Sequence, residues 1–215
     1  MTLITPGKLG WDDLRQIRRG PQRLNLTEAA WSSVLDSSHA VARVLASGQV
    51  VYGLNTGFGK LASTRIPDSE HAQLQLNLLR SHAVGVGEPL SDSVVRLMLL
   101  LKAASLGRGH SGVSPALIVA LLDLLAHDLL PVVPAKGSVG ASGDLAPLAH
   151  LCLPLIGEGQ VRWRGQLWPA AQALQACGLQ PLTLGAKEGL ALINGTQAST
   201  ASRLHSMRSA RSASR

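Results

Sequence analysis

Aromatic residues are scarce: four tryptophans, one tyrosine and one phenylalanine make up 3% of 215 residues. A β-sandwich draws heavily on aromatic and β-branched side chains, so that class is disfavoured. Leu, Ala and Val carry most of a hydrophobic content of 46% and favour a mainly helical core. Cysteine is equally sparse. Cys152 and Cys177 have no metal-ligand spacing, which excludes a disulfide framework or a zinc site and leaves reduced, partly buried thiols as the expectation. No apolar run is long and unbroken. The most hydrophobic stretch, 113–133, is interrupted by Asp123, His127 and Asp128 and reads as a buried helix, not a membrane span. Residues 1–10 lack a basic start followed by an apolar run, so no signal peptide is expected and the cytoplasm is the expected compartment.

Acidic residues are missing from 203–215, where Arg203, Arg208, Arg211 and Arg215 sit among four serines. These four arginines account for four of the formal net charge of +7, leaving +3 for everything before them. A mildly basic body without zinc-finger spacing or an aromatic RNA-binding motif argues against a nucleic-acid partner.

What is present reads as a series of helices separated by glycine-rich loops. Helices are expected from Trp11 or Asp12 towards Arg19, over 27–46 with Thr27 as cap and Gly48 as stop, over 68–80, and from Ser91 to Leu106. Ser114-Pro115 is a good cap and first-turn pair for a further buried helix. Residues 129–134 read as extended, 161–168 as a hairpin around Arg164-Gly165, 169–178 as a short helix, and 187–193 as another. Residues 49–52 have strand character.

The loop Gly53-Leu54-Asn55-Thr56-Gly57-Phe58-Gly59-Lys60 fails the phosphate-loop pattern: Leu54 stands where the first glycine should, and Leu61 follows the lysine. It remains a glycine-rich loop presenting Tyr52, with function and plain turn chemistry about equally favoured. His82 lies at a helix-to-loop transition, where a lone histidine is more often structural than functional.

The central stretch is Gly140-Ala141-Ser142-Gly143-Asp144, three small residues delivered to a helix mouth. A nucleophile elbow needs a glycine two residues after Ser142, and that place is Asp144. A phosphate cradle lacks the following Lys-Ser or Lys-Thr. Autocatalytic ring closure is the third option: the Gly143 nitrogen attacks the Ala141 carbonyl, and dehydration leaves Ser142 with an exocyclic methylene. Amide resonance makes that nitrogen a poor nucleophile, so the fold must compress the loop. Residue types alone leave all three open.

Gly140-Ala141-Ser142-Gly143-Asp144-Leu145-Ala146-Pro147-Leu148-Ala149 resembles the signature of the aromatic amino acid lyases, most closely their histidine-specific branch. Tyr52-Gly53-Leu54-Asn55-Thr56-Gly57-Phe58-Gly59, Leu79-Arg80-Ser81-His82-Ala83 and Asn194-Gly195-Thr196-Gln197 match that family in type and order, from the first residues to about Ala201. The resemblance implies a helical lyase fold with small β-elements. It implies a 4-methylideneimidazole-5-one (MIO) group made from Ala141, Ser142 and Gly143, with no metal and no nucleotide. It also implies ammonia elimination from L-histidine to give urocanate. On that pattern the substrate amine adds to the methylene carbon from Ser142 and becomes a better leaving group. Tyr52 takes the β-proton, Asn194 hydrogen-bonds substrate or ring, His82 selects imidazole over phenyl, and Asp144 assists ring formation, although an acid at a helix start is also an ordinary cap.

Members of the family are longer than this chain and form homotetramers with shared active sites. The chain therefore divides into a lyase-like portion, 1–202, and a Ser/Arg-rich tail, 203–215, expected to be disordered and to mark a truncated, frameshifted product. Without the remaining helices, the apolar faces at 94–101 and 116–125 are expected to be left open. A catalytically inactive fragment, or a lyase for another aromatic amino acid, are the alternatives.

Overall fold

The computed structural model describes residues 1–57, 66–138 and 142–212. The chain opens with β1 (Thr2–Ile4), α1 (Trp11–Arg19) and β2 (Leu24–Leu26), the two strands pairing in parallel with Ile4 beside Leu26. α2 (Glu28–Ala46) follows Thr27, whose backbone is extended, and stops before Gly48, which takes a left-handed φ of +70°.

The stretch at 49–52, expected to be a strand, forms no strand: 49–51 are irregular and Tyr52 begins a turn. The buried Asn55 side chain explains the difference. Its Oδ1 accepts from the Val51 N–H at 2.8 Å and its Nδ2 donates to the Gln49 carbonyl at 2.7 Å. A side chain that occupies these backbone groups competes with any strand partner.

After a 3₁₀ turn (Asp68–Glu70) come α3 (His71–His82), β3 (Val86–Pro89), α4 (Asp92–Leu106) and α5 (Pro115–Ala126). Next are β4 (Leu130–Pro131), β5 (Pro134–Lys136) and α6 (Leu145–Cys152), which continues as a 3₁₀ turn (Leu153–Ile156). β6 (Gln160–Trp163) and β7 (Gln166–Pro169) form the expected hairpin, and α7 (Ala170–Ala176), α8 (Glu188–Ile193) and α9 (Gln197–Ser212) complete the chain. The hairpin turn places Arg164 at φ 52° and Gly165 at φ 76°. Two left-handed residues in succession match the right-handed twist of the paired strands. β3 pairs antiparallel with β5, and β4 with β6.

The architecture is mainly helical, and α4 is its centre. Val94, Val95, Leu97, Met98, Leu99 and Leu100 are buried, and α1, α5 and α9 pack around them. Leu117, Ile118, Leu121, Leu124 and Leu125 of α5 are buried as well. The expectation of open apolar faces at 94–101 and 116–125 is thus corrected for these residues. Each buried leucine contributes about 1.5–3 kcal/mol, enough to hold α4 in place. Glu188 links two helix starts: one carboxylate oxygen accepts from the Ser114 N–H at 2.8 Å and the other from the Gly185 N–H at 2.7 Å.

The segment beginning at Arg203, expected to be disordered, is helical through Ser212 as part of α9. Ala198 and Ala201 are buried and Leu204 packs on the core. His205 Nδ1 lies 3.2 Å from Arg18 Nη2 and 3.1 Å from Ser93 Oγ, docking the helix on α1 and α4. Once those contacts nucleate a helix, Arg and Ala extend it readily. Among the described residues, no helix is long and apolar enough to cross a membrane.

Candidate functional site

Three helices that carry the singled-out residues, α3, α6 and α8, pack against one another. His82 is the last residue of α3, Asn194 follows the last residue of α8, and Ser142-Gly143-Asp144 lead into α6. Close approach requires glycine at two points. A Cβ on Gly189 of α8 would lie 2.8 Å from the Gln75 carbonyl of α3. A Cβ on Gly137 would lie 2.9 Å from the Gly85 Cα, so the loop after His82 sits directly on the approach to the central turn.

The central turn is built from backbone. Gly143 has φ +116° and forms a parallel bridge with Gly195, and the Asp144 N–H donates to the Gly195 carbonyl at 2.7 Å. A Cβ on Gly143 would sit 2.2 Å from that carbonyl oxygen. None of the described hydrogen bonds engages the Gly143 N–H. Ser142 is exposed, and Ala141 lies outside the described residues, as do Phe58, Gly59 and Lys60 of the Tyr52 loop. The turn therefore places a residue that only glycine fits directly before a helix N-terminus.

Asp144 does not cap α6 as an ordinary helix-start acid would. Its buried carboxylate reaches α9 instead. Oδ2 accepts from the Ser199 N–H at 2.7 Å, and Oδ1 accepts from Ser199 Oγ at 2.5 Å and from Ser138 Oγ at 2.9 Å. Ser199 is in the first turn of α9, so the carboxylate satisfies an orphan donor of another helix. One side chain thereby ties together both ends of the central loop and the start of α9.

Beneath this layer lies Lys102 of α4, 1% exposed. Its Nζ donates to the Asn194 carbonyl at 2.7 Å and the Ala191 carbonyl at 3.4 Å, at the C-terminal end of α8. Burial lowers the ammonium from an ordinary 10.5 to about 8, against the opposing influence of Cys152 and Asp144. Burial pushes the neighbouring Cys152 thiol up to about 12, so it is a thiol at neutral pH. The unfolded chain keeps the lysine proton to higher pH than the folded chain. The burial penalty is therefore fully present below pH 8 and relieved as pH rises towards 10.5, where stability from this group increases. That relief is worth about 3 kcal/mol. Urea unfolding on either side of this window should show it in the parent chain and not in Lys102→Met.

His82 is half-buried, with Nδ1 2.8 Å from the Leu78 carbonyl. A carbonyl can only accept, so Nδ1 carries a proton in this contact, and in the neutral imidazole Nε2 is the acceptor. His150 of α6 acts in the opposite sense: its Nε2 accepts from the Gly85 N–H at 3.0 Å, and burial lowers its pKa, which keeps it neutral. Tyr52 is exposed. Its loop is organised by the buried Asn55 and by Thr56, whose hydroxyl accepts from the Gly53 N–H at 3.2 Å and donates to the Gly57 carbonyl at 3.0 Å.

Several of these residues were missed in the sequence. Ser138 and Ser199 carry no motif signal. Lys102 carried one: Val95, Met98, Leu99 and Leu106, at helical spacing around it, are all apolar, which places the lysine on the buried face. Among the described residues, no group of three or more His, Cys, Asp or Glu could hold a metal ion.

Residues 9–215 match the family model for aromatic amino acid lyase. The chain is 56% identical over 199 residues to histidine ammonia-lyase of Paracidovorax citrulli, covering 93% of this chain and 39% of that protein. Histidine ammonia-lyase of Burkholderia cenocepacia is 54% identical over 207 residues, covering 96% of this chain and 41% of that protein. The crystal structure of histidine ammonia-lyase from Trypanosoma cruzi superposes with a TM-score of 0.87 at 36% identity, covering 95% of this chain and 40% of that one. The chain thus spans about 40% of the length of the relatives it matches.

Proposed function

The chain belongs to the aromatic amino acid lyase family, and we propose that it supplies the electrophile-forming share of a cytoplasmic histidine ammonia-lyase, a homotetramer in its full-length form, that converts L-histidine to trans-urocanate. The observation that carries this reading is the Gly143 turn: left-handed and closed against Gly195 so tightly that no side chain fits. Ring closure forms a bond from the Gly143 nitrogen to the Ala141 carbonyl carbon, whose oxygen leaves as water. A second water takes the Ser142 hydroxyl and its α-hydrogen. Such a MIO group supplies an electrophile that no ordinary side chain provides. The residues around the turn fit it, because only glycine is tolerated at position 143 and Asp144 braces the loop from Ser138 to Ser199.

The remaining roles are those that the family resemblance implies, supported by what each side chain can offer. Tyr52, on a loop held by Asn55 and Thr56, is the base for the β-proton, a task that requires the phenolate. His82 offers an Nε2 lone pair to the N–H of a substrate imidazole, which a phenyl ring cannot supply. Asn194, exposed and adjacent to the bridge at Gly195, hydrogen-bonds substrate or ring. The α6 N-terminus directs partial positive charge at the same place.

His82→Leu should reduce kcat/KM for L-histidine about 10–100-fold, while turnover of L-phenylalanine rises or holds. Urocanate formation from L-histidine by the purified chain tests the main reading. Ammonia from phenylalanine or tyrosine in preference to histidine would overturn the substrate. One observation favours a second reading, a catalytically inactive fragment: the chain spans about 40% of its relatives. A chain carrying the ring but releasing no urocanate supports that alternative.

A further inference from the structure

Lys102 is the most deeply buried cation among the described residues, and neither the ring chemistry nor substrate recognition as proposed above uses it. A buried ammonium is unfavourable unless its donors are satisfied, and here both recorded acceptors are main-chain carbonyls at the end of α8. The last carbonyls of a helix lack intrahelical partners and attract a cation. The stronger of the two bonds goes to Asn194, the residue immediately before the one that touches the central turn. From there the contacts are continuous: the Gly195 carbonyl accepts from the Asp144 N–H, and Gly195 bridges Gly143.

We propose that Lys102 is the positioning residue for the ring-forming turn: its buried ammonium fixes the Asn194-Gly195 peptide from below, and that peptide holds Gly143 and Asp144 in the geometry that ring closure needs. The ring-closure part rests on the function proposed above; the positional part does not. A plain core role predicts a different pattern, because a side chain that only fills space is replaced by methionine without consequence for one distant loop. The burial penalty argues in the same direction. An apolar residue at 102 escapes that penalty below pH 8, so the lysine is a stability liability retained at the base of the turn.

The test compares the parent chain with Lys102→Met and Lys102→Arg, using two readouts. One is amide hydrogen exchange at Asp144, with α5 as internal reference. The other is the fraction of the tryptic peptide 137–162 that has lost two waters. The expected result is that Lys102→Met folds with parental protection in α5, exchanges the Asp144 amide at least about tenfold faster, and loses most of the dehydrated peptide, while Lys102→Arg restores both in part. Parental protection at Asp144 together with parental dehydration in Lys102→Met would overturn the proposal. So would a loss of protection spread evenly through α5 and unaffected by arginine, since that is the signature of a general core residue. If the parent peptide itself keeps both waters, the ring reading fails, and the exchange readout alone decides whether Lys102 positions the turn.

Discussion

Gly143→Ala is expected to give a folded chain in which the ring never forms. The added methyl would stand 2.2 Å from the Gly195 carbonyl oxygen and 2.8 Å from its carbonyl carbon, well inside contact distance. The backbone at φ +116° is also one that alanine rarely adopts. Both conflicts are relieved by moving the turn away from Gly195, which breaks the Asp144 N–H bond to the Gly195 carbonyl and removes the compression on which attack at Ala141 depends. The stability cost should be about 2–4 kcal/mol, concentrated in the turn, because the clash is with the Gly195 peptide and not with the apolar side chains of α4. Chemical denaturation measures the cost, and the mass of the peptide spanning the turn shows whether two waters were lost. A Gly143→Ala chain with parental stability and a closed ring would show that the approach to Gly195 is irrelevant.

Asp144→Ala should be the more damaging change to the fold as a whole. The carboxylate is 2% exposed and accepts three hydrogen bonds, two from Ser199 and one from Ser138. Removing it leaves the Ser199 N–H at the start of α9 and two hydroxyls without their acceptor, on residues that water can reach. Each hydrogen bond to the charged carboxylate is worth about 1 kcal/mol net once its donor is rehydrated, so a total of about 3 kcal/mol is expected. The loss should extend along α9, loosening the contacts of His205 with Arg18 and Ser93. Asp144→Asn keeps an acceptor oxygen and should recover roughly half of the stability. If the protection of α9 amides from exchange is unchanged in Asp144→Ala, the carboxylate does not anchor that helix.

These two residues also show how far the sequence could be read. Gly143 stood in a recognisable run of small residues, and the positions of α1, α2, α4, α5 and the β6–β7 hairpin followed from apolar spacing, caps and glycine stops. The partners of those residues did not. Gly195 and Ser199 lie more than fifty positions from Gly143 and Asp144, and neither carries a pattern that points across that distance. An ordinary cap stayed open for Asp144 beside its role in ring formation, because local spacing cannot reveal that the carboxylate turns towards another helix. The same limit explains the strand expected at 49–52, where the Asn55 amide takes up the Val51 and Gln49 backbone groups. It also explains the segment after Arg203, where burial of Ala201 and docking of His205 outweigh a composition that suggests disorder. Lys102 went unread despite its apolar neighbours because a lysine in an apolar helix is usually assigned to the solvent face.

The most direct test of the account is the mass of the tryptic peptide 137–162 from the unaltered chain. The braced turn and the glycine that alone fits it predict a peptide lighter than its sequence by two molecules of water. A peptide of unmodified mass from a chain that is demonstrably folded would contradict the central claim that this turn closes into the electrophile.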